Sequence, residues 1–238
     1  MLTVFSFHTN DYLYTRHAEI LAASAKKFNI NIDLTTVNRN DWQKIITFKP
    51  TFINQMRKKL EGPILFVDAD AIILEDVRPY FSTIKEDIGV HYLNDTELLS
   101  GTIFINDTKN ARELISEWQK LSLENPDVWD QKILQSLLDD WIAKGKISLN
   151  KIPIRYTQIF DLNPEAIPPA IEHLQASRDK RWLKNFQKKH HLKRIWMLSK
   201  FSKATKNIRL RHDSVNDRAN QLAIDLQINL KELISDEI

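Results

Sequence analysis

The run ILFVDADAII, residues 64–73, carries two aspartates one residue apart between apolar flanks. Flanks of this kind read as a buried strand. A buried carboxylate without a partner is costly, and two side by side repel each other. Asp68 and Asp70 therefore either cap a solvated loop or share something positive. Side chains two residues apart on a strand point the same way, so both carboxylates are able to aim at one point. A divalent cation, hard and oxygen-seeking, suits that arrangement. The D-x-D triplet alone recurs by chance, and the strand leading into it gives this one its weight.

The elements that must position the pair are legible from periodicity. LTVFSF (2–7) reads as a short buried strand, residues 13–28 as a helix with Leu13, Ile20, Leu21, Ala25 and Phe28 on one face, and INIDLTTV (30–37) as a second strand. Residues 41–60 read as helical on both sides of Pro50, and Gly62-Pro63 turns the chain into ILFV (64–67). This β-α-β-α-β order predicts an α/β fold whose opening strands form a parallel sheet with helices on its faces. Ligands of such sheets bind beyond the carboxyl ends of the strands. Asp68, Asp70 and the loop His8-Thr9-Asn10 all fall at that edge. IGVHYL (88–93) and TIFIN (102–106) are expected as strands around a connector NDTELLSG, with helices at about 108–124 and 128–144, and short strands in ISLNKIP and IEHL. A last helix is expected from Ser214, with Asp217 completing an S-x-x-D capping box and Val215, Ala219, Leu222, Leu226, Leu230 and Leu233 as its apolar stripe.

Composition narrows the chemistry. With 238 residues the chain is one large domain, or one with an appendage. It has no cysteine, which excludes disulfide frameworks, thiolate zinc sites and cysteine nucleophiles. Its four glycines, Gly62, Gly89, Gly101 and Gly145, form neither a P-loop nor a dinucleotide fingerprint. No stretch has the length and hydropathy of a membrane span, and MLTVFSFHTND does not read as a signal peptide. A cytoplasmic location is expected. The net charge of +3 is uneven: residues 178–211 hold thirteen Lys or Arg against one acid, Asp179, while residues 1–177 hold 19 basic and 24 acidic residues.

Four segments, in order, resemble sugar-nucleotide-dependent glycosyltransferases of the GT-A fold, nearest to the retaining, family-8-like group. FKPTFINQMRKKLEGPILFVDADAII (48–73) looks like the approach to that family's metal motif. LLSGTIFIND (98–107) resembles its N-S-G-x-x-x-x-N sugar-site segment, with Leu99 where Asn is usual; VWDQKIL (128–134) resembles its D-Q helix start, and IEHLQASR (171–178) its late H-x-x-x-x-(K/R) segment. The resemblance implies a Rossmann-like mixed sheet flanked by helices over residues 1–178, with 179–238 a basic, helical C-terminal extension. It implies a metal site of Asp68, Asp70 and His173, holding Mn²⁺ or alternatively Mg²⁺. It places Thr9, Asn10 and Tyr12 on the nucleotide base, Lys49 on the nucleotide or sugar, and Arg178 on the diphosphate, with a UDP-sugar favoured. Ser100 and Gly101 would lie on the sugar, and Asp130 and Gln131 near the anomeric carbon as candidate catalytic residues. The residues alone also bear plainer readings. His173 in a short strand is more often a core histidine, Asp130 a helix-dipole partner, and Ser-Gly a turn. Residues 9–12 then form a polar turn with Asn10 or Asp11 as the cap, Lys49 is an exposed lysine, and Arg178 is the first charge of the basic block.

Two other classes compete. Haloacid-dehalogenase-type phosphatases also carry D-x-D after a buried strand, but near the N-terminus and with a different residue where Ile72 stands. A non-catalytic anion-binding module would use the basic block instead. That block interleaves Trp182, Phe186, Trp196 and Phe201 with its cations. This suits an anionic membrane surface carrying a lipid-linked or surface glycan acceptor, with peripheral attachment on the inner face. The same block could instead track a nucleic acid, as for phage-type enzymes that glycosylate modified DNA bases, or pack its aromatics inward beneath solvated lysines.

Overall fold

The computed structural model describes residues 2–38, 48–162, 167–176 and 217–227. Thus part of the helix expected over 41–60, the whole of the 178–211 block with Arg178, and Ser214, Val215, Leu230 and Leu233 lie outside the described residues. The chain runs β1 (Thr3–Thr9), α1 (Tyr12–Lys27), β2 (Ile32–Val37), α2 (Phe48–Lys59), β3 (Ile64–Val67), β4 (Ala71–Ile73), α3 (Arg78–Phe81), β5 (Ile88–Leu93), β6 (Glu97–Ile105), α4 (Lys109–Glu124), α5 (Asp130–Ala143), β7 (Leu149–Lys151), a 3₁₀ turn (Ile154–Tyr156), β8 (Gln158–Ile159) and β9 (Ile171–His173). Helix α6 follows over 217–225.

Six strands form the central sheet in the order β2-β1-β3-β6-β5-β7, and β4-β9-β8 form a second, small sheet. Strand β1 runs parallel to both β2 and β3, as the opening β-α-β-α-β pattern predicts. The sheet then turns mixed, because β6 enters antiparallel between β3 and β5. The expected connector NDTELLSG is corrected here to three residues. Asn94 and Asp95 take left-handed φ of 50° and 57°, which Asn and Asp tolerate better than most side chains. The hairpin closes there, and Glu97–Gly101 are strand.

Helices cover both faces of the central sheet. In β3, Ile64 and Phe66 pack with Phe52, Ile53, Trp118, Leu134 and Leu138 on the side of α2, α4 and α5. Leu65 and Val67 pack with Leu21 and Ala25 of α1 on the other. A strand buried on both faces reads as a continuous apolar run instead of an alternating one, which accounts for ILFV. Helix α6 buries Ala219 and Leu222, as its stripe predicts, together with Ala223, against Ile20, Ile72 and Leu174.

Asp87 joins distant parts of this frame. It accepts hydrogen bonds from Thr108 Oγ1 (2.6 Å), Ser148 N (2.8 Å) and Ser148 Oγ (2.8 Å), so one carboxylate ties the N-cap of α4 to the entrance of β7. Burial acts to raise its pKa, but the hydrogen bonds from Thr108 and Ser148 outweigh burial and hold it below the ordinary carboxylate range. A lowered folded-state pKa contributes stability above the unfolded value, near 3.9, that is lost as pH falls through the folded value. Asp87→Asn is expected to lower the melting temperature by about 2–4 °C at pH 7, a change of roughly 1 kcal/mol for a chain of this size. The difference should shrink as pH falls below about 4 and vanish only below the lowered folded-state value, as thermal melts across pH would show.

Candidate active site

Asp68 follows the last residue of β3, and its N–H donates to Gly101 O of β6 at 2.8 Å. Residues 69 and 70 form a turn, after which the chain enters β4 of the small sheet. The two carboxylates therefore converge through a turn between sheets. Strand alternation, the reason first given for their convergence, is not the cause. Asp70 is held from the small sheet: its carbonyl accepts from Leu174 N at 3.0 Å, and its Oδ2 from Ala176 N at 2.7 Å.

His173 ends β9, opposite Ala71. Its Nε2 bonds Thr102 Oγ1 at 2.8 Å, leaving Nδ1 on the carboxylate side, 3.8 Å from Asp70 Oδ1. One donor atom from each of Asp68, Asp70 and His173 falls within 4.8 Å of the others. Gly101 lets them meet. A Cβ there would stand 2.9 Å from His173 Cε1, 3.1 Å from Nδ1 and 3.3 Å from Asp68 Oδ2. Two carboxylates, one imidazole and a backbone cleared of side chain make a donor set that fits Mn²⁺ or Mg²⁺.

Lys49, at the start of α2, is not an exposed lysine: its side chain is 15% exposed. Its ammonium lies 2.8 Å from Asp68 Oδ1 and 3.9 Å from Asp130 Oδ2, reaches Ser100 O and Oγ at 3.4 and 3.5 Å, and sits over the Phe66 ring. Burial works against its charge, but Asp68 and Asp130, with Asp70, outweigh burial and raise its pKa. Burial likewise raises Asp68 against the pull of Lys49, with Asp70 adding to the rise. For Asp70 burial also acts upward, but His173, His17 and the Ala176 N–H prevail and hold it low.

Asp130 opens α5, fixed by the buried Trp118, whose indole N–H donates to the Asp130 carbonyl at 2.9 Å. The buried Asp130 Oδ2 has no hydrogen-bond partner. Gln131 accepts from Ser100 Oγ at 3.4 Å and donates to Glu97 at 3.3 Å. Lys49, Ser100, Gly101, Asp130 and Gln131 thus gather beside the acidic pair. Thr9, Asn10 and Tyr12 form a neighbouring rim at the carboxyl end of β1. There Asp11 caps α1, accepting from Tyr14 N at 3.2 Å and from the Thr9 hydroxyl, and Asn10 donates to Asn38 at 3.3 Å. Sequence reasoning did not single out Thr102 or Trp118. Thr102 directly follows Gly101 in a segment already of interest, but a threonine in a strand reads as an ordinary strand former.

The nucleotide-diphospho-sugar transferase family matches residues 8–197. The chain belongs to that family. Among solved structures, this transferase is similar in fold to a glycosyltransferase involved in the glycosylation of the major capsid of PBCV-1, at 15% identity and TM-score 0.57, covering 72% of this chain and 93% of that one. It is also similar to the glycosyltransferase GlyE of Streptococcus pneumoniae TIGR4, at 18% identity and TM-score 0.52, covering 73% of this chain and 55% of that one. No curated protein matches by sequence. The mixed sheet between helix layers is the GT-A arrangement expected from the sequence, and sugar transfer from a nucleotide-diphospho-sugar follows as the family's chemistry. Among the described residues of the transferase, no helix is long and apolar enough to cross a membrane.

The crowding at Gly101 yields a direct check. Gly101→Ala is expected to push His173 from Asp68 and Asp70 and to cost about 10²-fold in turnover, the scale of a 1 Å misplacement. Nucleotide release would report the rate, and a melting curve close to wild type would show that the fold survives.

Proposed function

We propose that this transferase is a metal-dependent glycosyltransferase, hexosyl- or pentosyl-, that moves a sugar from a UDP-sugar with retention of configuration, nearest in kind to the family-8-like group. The observation that carries the reading is the convergence of Asp68, Asp70 and His173 beside the Lys49–Asp130 contact. In this reading the three residues hold Mn²⁺, or alternatively Mg²⁺, and a bound cation supplies neutralisation of the charge gathering on the departing diphosphate. Lys49 adds a fixed ammonium at the same end. Thr9, Asn10, Tyr12 and Arg178 serve the nucleotide, and Ser100 and Gly101 the sugar. Asp130 and Gln131 are the candidate catalytic residues at the sugar end. A buried acceptor without a hydrogen bond is a place where a donor belongs, so Asp130 Oδ2, which has no hydrogen bond and meets Lys49 only at 3.9 Å, supports a bond from a sugar hydroxyl.

Residues 1–178 form the catalytic unit in this proposal, and 179–238 the extension. The acceptor, a lipid-linked or surface glycan at an anionic membrane face of the cytoplasm, is proposed from the charge and aromatics of residues 178–211.

UDP release, measured with Mn²⁺ across a panel of sugar nucleotides, tests the donor and the metal together. Turnover should appear with one UDP-sugar and disappear in Asp70→Asn at an unchanged fold. No turnover with any donor would favour a binding module. Asp130→Ala should lower kcat by roughly 10²-fold or more while UDP affinity stays within a few-fold, because the side chain acts at the sugar end. Equal losses in both would remove Asp130 from the catalytic role. Replacing Lys188, Lys189, Lys193 and Arg194 with Glu should spare donor hydrolysis and cripple transfer to a lipid-linked acceptor. If that variant instead lost transfer to a DNA acceptor, the membrane reading would give way to nucleic acid.

A further inference from the structure

The candidate metal ligands come from two separate sheets. Asp68 is fixed to the central sheet through Gly101, whereas Asp70 and His173 are fixed to the small one through Leu174, Ala176 and the β4–β9 ladder. The strands of that small sheet are three, two and three residues long, too short to hold a position without packing against something else.

Helix α6 supplies that packing. Alternation along a strand sends neighbours to opposite sides. In β4, Ala71 and Ile73 pack with the interior core, while Ile72 packs against Ala219, Leu222 and Ala223 of α6. In β9, His173 faces the acidic pair, and the preceding residue, Glu172, faces the helix. There Glu172 Oε2 accepts from Arg218 Nη2 at 2.7 Å, with the Glu172 side chain only 6% exposed. The ion pair meets β9 from behind, one residue from the imidazole. Arg16 of α1 donates to Asn220 of α6, and Lys27 donates to the Asp225 carbonyl at 3.3 Å, so the helix also bridges the small sheet to α1.

We propose that Glu172 and Arg218 are positioning residues for the metal site: their ion pair clamps α6 to the back of β9 and sets Asp70 and His173 at the separation from Asp68 that a shared cation requires. The inference rests on the metal reading above and assigns the C-terminal helix to the frame of the site. Coupling is reciprocal, so a cation that joins the two sheets also strengthens the docking of α6.

The test uses the full chain and two readouts independent of turnover. Mn²⁺ is titrated, with and without saturating UDP, by loss of the free-ion EPR signal, and amide hydrogen exchange is followed over residues 217–225. Arg218→Met is expected to weaken Mn²⁺ binding about tenfold, the low end for a lost outer-shell partner. Arg218→Lys, which keeps the charge, should bind close to wild type. Mn²⁺ should slow exchange of 217–225 in wild type and not in Asp70→Asn. A lone Arg218→Met leaves Glu172 buried without its partner and risks the fold. The Glu172→Gln/Arg218→Met pair removes that charge, and the weakening must persist in it. Unchanged Mn²⁺ affinity in a folded Arg218→Met or in the pair overturns the proposal, as does exchange of 217–225 that ignores Mn²⁺. Wild type that binds no Mn²⁺ under either condition overturns the metal reading and this inference with it, an outcome distinct from the other two.

Discussion

The ion pair between Lys49 and Asp68, at 2.8 Å, holds together acidic groups that would otherwise repel one another. Asp68, Asp70 and Asp130 all approach this lysine, so the cluster has more negative charge than its own cations neutralise. Carboxylates kept from bulk water need compensation. The fold supplies it in part, through one buried ammonium and backbone N–H groups. The residual demand is for positive charge, which suits a cation better than a free anion.

Around that charge, the parts of the frame divide their work. The central sheet carries Asp68 just past the end of β3 and Ser100, Gly101 and Thr102 on β6, and α2 brings Lys49 over Phe66. Trp118 reaches from α4 to hold the start of α5, fixing Asp130 from the apolar side. The small sheet brings in Asp70 and His173. The candidate site residues thus sit at junctions between elements whose own packing is apolar and tight. Charged groups there are oriented by neighbours that have no part in the chemistry.

Much of this was legible in the residues. The continuous apolar run of β3 and the helix-strand alternation before it placed Asp68 and Asp70 at the ligand-binding edge. Family resemblance, and not the residues alone, pointed to Asp130, Gln131 and His173. The neighbours of His173 in the chain said nothing of Thr102 or Gly101, which come from a strand about seventy residues earlier. The connector before β6 was misjudged because Leu98 and Leu99 follow the polar NDTE and precede Ser-Gly, and local composition does not register that Asn94 and Asp95 have already turned the chain. The convergence of Asp68 and Asp70 was right for the wrong geometric reason, since a period-two argument has no means of seeing that the strand ends between them. The residues alone left Lys49 open between a nucleotide contact and a solvated charge, because burial of a long side chain depends on what folds over it.

The order in which the pieces occur along the chain has a kinetic consequence. Strands β5 and β6 pair across a three-residue turn and are the quick part of the sheet to assemble, whereas β1, β2 and β3 pair in parallel through crossovers within the first 67 residues. Strand β6 must then return to pair with β3, and β9 arrives only at residues 171–173, closing a loop of about a hundred residues back to Ala71. His173 is thus the last of the three clustered side chains to take its place, and helix α6 packs against the small sheet after it. A nascent chain or folding intermediate that has built the central sheet has Asp68 at its edge and still lacks the donors that complete the cluster. Completion of the Asp68, Asp70 and His173 cluster is therefore a late event in folding, and any ligand that binds only the completed form draws late intermediates forward by mass action.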